Sequence, residues 1–152
     1  MKLGVISDTH GLLRPEALAA LAGVDHILHA GDIGRPEVIV GLQALAPVTA
    51  VRGNVDQGAW AAAFPATTRV RLGGRSILLL HSLAELDLDP VAAGIDLVVS
   101  GHSHRPKVEA IGPVLYLNPG SAGPRRFRLP VALATLVIGA GGMRPHLHEI
   151  RV

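Results

Sequence analysis

Two histidines one residue apart, in Gly101-His102-Ser103-His104, follow an apolar run over residues 95–100. A short, β-branched run of this kind reads as a buried strand. In extended backbone, positions i and i+2 point the same way, so both imidazoles can face one centre. Imidazole is the commonest side-chain metal ligand. Taken alone, a His-x-His pair is equally well two surface histidines in a turn. Here four other strand-like runs end on groups of the same chemistry: Asp8 with His10, Asp32 after Gly31, Asn54 after Gly53, and His81.

In open α/β sheets, sites form outside the carboxyl ends of the strands. These ends carry two carboxylates, four imidazoles and one carboxamide, all oxygen or nitrogen donors. Core packing gives no reason to repeat such groups there. Seven ligands exceed what one tetrahedral zinc takes, and they suit two divalent metal ions sharing a bridging carboxylate. The donor set favours manganese, iron, zinc, nickel or cobalt, with manganese first. It disfavours soft copper and is too rich in histidine for calcium or magnesium. Two such cations outweigh two carboxylates, so the site attracts a small anion, and a phosphate ester fits best. A metal pair polarises phosphoryl oxygens and generates hydroxide near neutral pH. No serine or cysteine nucleophile motif competes with that route.

The elements that must position these groups can be read in order. Strands are expected over 2–8, 26–32 and 48–54, separated by helices over 15–21 and 36–45 that each open on Pro-Glu. Such a β-α-β-α-β start implies a parallel sheet with right-handed crossovers. The second half is richer in strand: hairpins over 68–81 and 107–117, the run at 95–100, and a final pair over 131–138 and 146–152. Asp89-Pro90 is expected to cap a short helix to about residue 93.

Composition bounds the classes. The 152 residues suit one domain, 1–152, with a core of aliphatic rather than aromatic side chains, since aromatics are only 3%. The apolar runs are too short to span a bilayer, and the amino terminus lacks the pattern of a signal peptide. With no cysteine there is no disulfide framework or thiolate site, and a cytoplasmic location is expected. A net charge of +2 is too small to imply nucleic-acid binding, although the pI is about 9.7 because the bases are mostly arginine. The one basic cluster, Arg125-Arg126-Phe127-Arg128, is either a solvated loop or a contact for an anionic substrate or a partner chain.

Asp8-x-His10, Gly31-Asp32, Gly53-Asn54-x-Asp56, His81 and Gly101-His102-Ser103-His104 together resemble the ordered motif set of the calcineurin-like metallophosphoesterases. The short length and Asn118-Pro119-Gly120-Ser121 are similar to their small YfcE-type branch, which includes Vps29. The resemblance implies a four-layer α/β/β/α sandwich of two mixed sheets flanked by helices. It implies that Asp8, His10 and His104 hold a first metal, that Asn54, His81 and His102 hold a second, and that Asp32 bridges them. Catalysis would then rest on Asp32, Asn54 and a hydroxide bridging the metals.

Two departures stand out. The residue after Gly-Asn is a histidine in most of the wider family and can protonate the leaving group; here it is Val55. Losing a general acid typically removes two to four decades of rate, which points to diesters or esters with good leaving groups. Asp56 is then either a support for the site or a turn residue. After His81 the usual glycine is Ser82, followed by Leu83. His26, His29, His146 and His148 read as structural or solvent-facing, His26 and His29 lying away from the end of their strand. Trp60 and Phe64 read as a subunit contact or a wall of the cleft.

The leading expectation is a metal-dependent phosphoesterase, with diesters or activated aryl esters favoured and monoesters left open. A Vps29-like interaction scaffold is the rival, and a nuclease is disfavoured by the short chain. Exposed hairpin edges suit a homodimer or homotetramer.

Overall fold

The structure is a computed structural model describing residues 1–152. Ten strands form two five-stranded mixed sheets. The first has the order β10-β9-β1-β2-β3, the second β4-β5-β6-β8-β7. In the first sheet, β1 (Lys2–Ile6), β2 (His26–His29) and β3 (Val48–Ala50) are parallel, joined by α1 (Pro15–Ala20) and α2 (Pro36–Gln43). Each helix has proline at its start and a glutamate in its first turn, which suits the free amides there. The second sheet holds β4 (Thr67–Leu72), β5 (Arg75–Leu80), β6 (Leu97–Val99), β7 (Lys107–Ile111) and β8 (Val114–Asn118). The chain then returns through β9 (Ala132–Gly139) and β10 (Gly142–Glu149) to the first sheet.

Alternation along the strands divides the core. Leu3, Val5, Leu28 and Ala30 face Ile77, Leu79, Leu97, Val99 and Leu117 between the sheets. Ile6 and Ile27 pack outward against Ala17, Leu21, Val38, Ile39 and Leu42 of the helices. The outer side of the second sheet, with Leu78, Leu80 and Val98, is covered by Leu86, Ala93 and Ile95 of the segment between β5 and β6. Two mixed sheets packed face to face confirm the expected sandwich. Its fourth layer is thin: it holds a single 3-10 turn (Leu83–Glu85) and no α-helix.

Local expectations need correction in three places. Residues 90–93 do not form a helix. Asp89 caps the Val91 amide and the chain closes hydrogen-bonded turns to Ile95, because Gly94 at φ 72° ends the segment before a helix can propagate. The last strand starts at Gly142, not 146, and ends at Glu149. It pairs with β9 from Gly142–Gly139 onward, and Pro145 is tolerated because β10 is an edge strand. His29 is the last residue of β2 rather than remote from its end.

Candidate metal centre

Every candidate ligand lies beyond its strand, not on it. The strands stop at Ile6, His29, Ala50, Leu80 and Val99. Asp8, His10, Asp32, His102 and His104 all have left-handed backbone, with φ between 47° and 71°. Non-glycine residues seldom adopt that region, and it breaks a strand at once. The only other one in the chain is Phe127. The expectation that His102 and His104 share one direction in extended backbone is therefore corrected: the loop turns between them. His104 packs its ring 5.4 Å from His10, whereas His102 sits 5.2 Å from His81.

Five donor atoms converge. Oδ1 of Asp8 lies 3.3 Å from Nε2 of His104, 3.9 Å from that of His10 and 4.0 Å from that of His81. Oδ2 of Asp32 lies between His81 Nε2 at 3.3 Å and His10 Nε2 at 3.7 Å. Two triads could each hold an ion, Asp8–His10–His104 and Asp8–Asp32–His81. His102 is exposed beside His81, and Asn54 is exposed in the turn after Gly53.

Supports fix the remaining atoms of these groups. Oδ2 of Asp8 accepts from Ser7 Oγ at 2.7 Å and from the His102 amide at 3.1 Å. Oδ1 of Asp32 accepts the Val55 amide at 3.1 Å. His81 donates Nδ1–H to the Ala30 carbonyl at 2.8 Å, which turns Nε2 inward. Gly53 and Gly101 are required by contact, since a Cβ at either would run into the carboxylate of Asp32 or Asp8. Asn118 donates from Nδ2 to the Gly101 carbonyl and Ser103 Oγ, and Ser121 Oγ donates to the Asp8 carbonyl at 2.9 Å.

Asp56 is a loop clamp. Its buried carboxylate accepts three amides, from Ile33, Gly34 and Gly53, at 2.8–3.0 Å. His29 lies beneath the site. Its Nδ1 accepts the Gly31 amide, so Nε2–H donates to Thr9 Oγ1, whose hydroxyl donates to Ile33 O. Ser7 and the Thr9–His29 pair had no separate signal in the sequence. Asn118 and Ser121 did, as the ends of the Asn118-Pro119-Gly120-Ser121 segment. Trp60 and Phe64 stack edge to face, centroids 6.4 Å apart, against the helix-side core.

Electrostatics follow from this crowding. Burial works against ionising Asp32, but the His81 imidazole 3.3 Å away and the hydrogen bond from the Val55 amide hold its pKa down at about 2. Burial likewise disfavours the His81 cation, yet the Asp32 carboxylate and Ala30 carbonyl push it up to about 9. Burial lowers His29 to about 4, and its accepting Nδ1 leaves it neutral. The donors fit a divalent ion: three of the converging atoms, Asp8 Oδ1, His10 Nε2 and His81 Nε2, are buried without a hydrogen-bond partner. Clustered carboxylate and imidazole atoms left this way match the ligand chemistry of borderline divalent metals.

Residues 1–140 match the calcineurin-like phosphoesterase superfamily domain. This chain belongs to that superfamily. A Methanothermobacter thermautotrophicus protein described as a probable metallophosphoesterase is 32% identical over 151 residues, covering 91% of this chain and 87% of that protein. YfcE, a phosphoesterase from E. coli, superposes with a TM-score of 0.70 at 26% identity, over 90% of this chain and 88% of that one. Vps29 from Entamoeba histolytica, solved with zinc, superposes with a TM-score of 0.75 at 20% identity, over 98% of this chain and 99% of its own. The superfamily uses divalent metals, and the Methanothermobacter protein and YfcE are phosphoesterases by name. No helix of the chain is long and apolar enough to cross a membrane.

Proposed function

We propose that this superfamily member hydrolyses small phosphodiesters at a two-metal centre. The observation that carries the reading is the convergence of Asp8, His10, Asp32, His81 and His104, with three of the converging atoms buried and unpaired. Asp8, His10 and His104 would hold one ion. Asp32 and His81 would hold the second, joined by His102 beside His81 and by Asn54, with Asp32 shared between the two. A bound metal pair supplies Lewis acidity toward the phosphoryl oxygens and acidifies water.

The chain's own residues do the rest. Val55, Ala30, Ser7 and Asn118 lock the donors in place before substrate arrives. That preorganisation removes the reorganisation cost from the transition state. Asn54, exposed in the turn after Gly53, would donate its amide to a phosphoryl oxygen. Val55 offers no proton, so the leaving alkoxide or aryloxide must depart without an acid at that position. This selects esters whose leaving groups are stable as anions. Manganese is the first metal to test and cytoplasm the expected compartment.

The test is hydrolysis of bis-p-nitrophenyl phosphate beside p-nitrophenyl phosphate by metal-stripped protein supplied with manganese, nickel, zinc or nothing. Metal-restored cleavage with the diester ahead is expected. Two ions bound per chain with no cleavage of either ester would favour the scaffold reading. That reading rests on the likeness to Vps29 and on Val55, and at 20% identity the likeness concerns the fold.

A further inference from the structure

Phe127 is the sixth non-glycine residue with left-handed backbone, at φ 54°, and the other five are all candidate metal ligands. It is also 90% exposed, more than any other large hydrophobic residue of the chain. A bulky side chain in this region is a true outlier, and such strain concentrates at functional sites. Packing does not account for it, because Phe127 has almost no packing.

Its loop is built onto the floor of the metal centre. Residues 122–130 leave and return through the Ser121–Val131 bridge, closed by the Ala132 amide on the Ser121 carbonyl. At that base, Ser121 holds the Asp8 carbonyl. Gly123 lies flat on the Asp8 and Thr9 carbonyls, with no room for a Cβ, and Arg14 ties it down through its carbonyl at 3.3 Å. The tip is a turn from Arg126 to Leu129 with Phe127 inside it. Arg125, Arg126 and Arg128 neighbour Phe127 in sequence, all exposed and none in an ion pair. The loop contains no acidic residue.

An exposed aromatic ring on a loop tip that also carries three unpaired arginines is the chemistry that receives a nucleobase and its phosphates: the ring stacks the base and the arginines meet the backbone. We propose that this loop binds the nucleoside portion of a nucleotide phosphodiester, with Phe127 as the stacking platform and Arg126 and Arg128 as phosphate contacts. This rests on, and narrows, the phosphodiesterase reading above. A bare aliphatic partner surface would need none of the three arginines. The low overall charge, +2, restricts the attraction to this rim rather than to a whole basic face.

The test separates binding from hydrolysis. In EDTA, anisotropy of a fluorescein-labelled oligothymidylate of about ten nucleotides is titrated with the full-length protein. Phe127→Asn keeps a residue that tolerates left-handed backbone, and it is expected to weaken binding about tenfold. Phe127→Trp retains binding, and Arg126→Gln reduces the salt dependence by roughly one phosphate contact. With metal restored, Phe127→Asn raises KM for thymidine 5′-p-nitrophenyl phosphate about tenfold, in line with loss of one stacked base. It leaves kcat, and both constants for methyl p-nitrophenyl phosphate, unchanged. Wild-type binding by Phe127→Asn, or equal effects on the two esters, overturns the proposal. So does a change confined to oligomeric state or to vesicle binding. Anisotropy differences without cleavage of any ester would uphold the loop and refute the phosphodiesterase reading. Cleavage of both esters with no oligonucleotide binding would do the reverse.

Discussion

The amide of Val55 donates to Oδ1 of Asp32 at 3.1 Å, while the Val55 side chain stays half exposed. The position that lacks the acid of the wider family therefore still holds a central carboxylate, and it does so through backbone alone. Changing the side chain leaves that support in place. Val55→His is expected to raise kcat on esters with poor leaving groups by about tenfold to a hundredfold, with a new pH dependence on the acid limb. Activated aryl esters gain little. Steady-state rates on alkyl and p-nitrophenyl diesters across pH 5–9, an arbitrary span of about four units around neutrality, make the comparison.

Asp32 sits between His81 and His10. Asp32→Ala removes the oxygen that both would share with an ion. With metal stabilisation worth several kcal/mol of transition-state charge, turnover should fall by about a thousandfold or more. Bound metal measured by elemental analysis should fall from about two ions per chain to one or none. Near wild-type turnover would refute the shared role of Asp32.

Asp56 gathers three amides from two loops that are far apart in sequence. Asp56→Ala strands three buried or half-buried donors at once. The expected loss is about 3 kcal/mol of stability, read by chemical denaturation. Asp56→Asn, which retains one acceptor oxygen, should recover part of it. A surface turn residue would give no measurable change.

The pH behaviour of the metal-free protein has two opposite limbs. His29 is held at about 4, below its unfolded value of 6.5. The unfolded chain then binds the extra proton first, so stability is full above 6.5 and falls as pH drops toward 4, by about 3 kcal/mol. His81 is raised to about 9, so its ion pair with Asp32 is present below 6.5 and is lost as pH rises through 9. Metal must displace that His81 proton. Apparent metal affinity should climb about tenfold per unit between pH 6.5 and 9, with proton release measured by calorimetry in buffers of different ionisation enthalpy. A pH-independent affinity would exclude His81 as a ligand.

Much of this molecule was legible from residue types and their order. The alternating and continuous apolar runs located all ten strands, the last with shifted bounds, and both helices, because strand and helix periodicities follow directly from backbone geometry. Donors that recur just past strand ends marked the site, because chain chemistry and chain direction are both written in the sequence. The tertiary structure decided what depends on loops. Left-handed backbone at Asp8, His10, Asp32, His102 and His104 turns the loops, and His102 and His104 go to different neighbours. No side-chain alternation rule applies outside a strand. Asp56, Asn118 and Ser121 became supports only when residues up to 113 apart in sequence met. The depressed His29, the raised His81 and the strained tip at Phe127 are likewise products of burial, hydrogen bonding and loop closure. Those quantities exist only after folding, when the sheets bring separate segments within a few ångströms of one another.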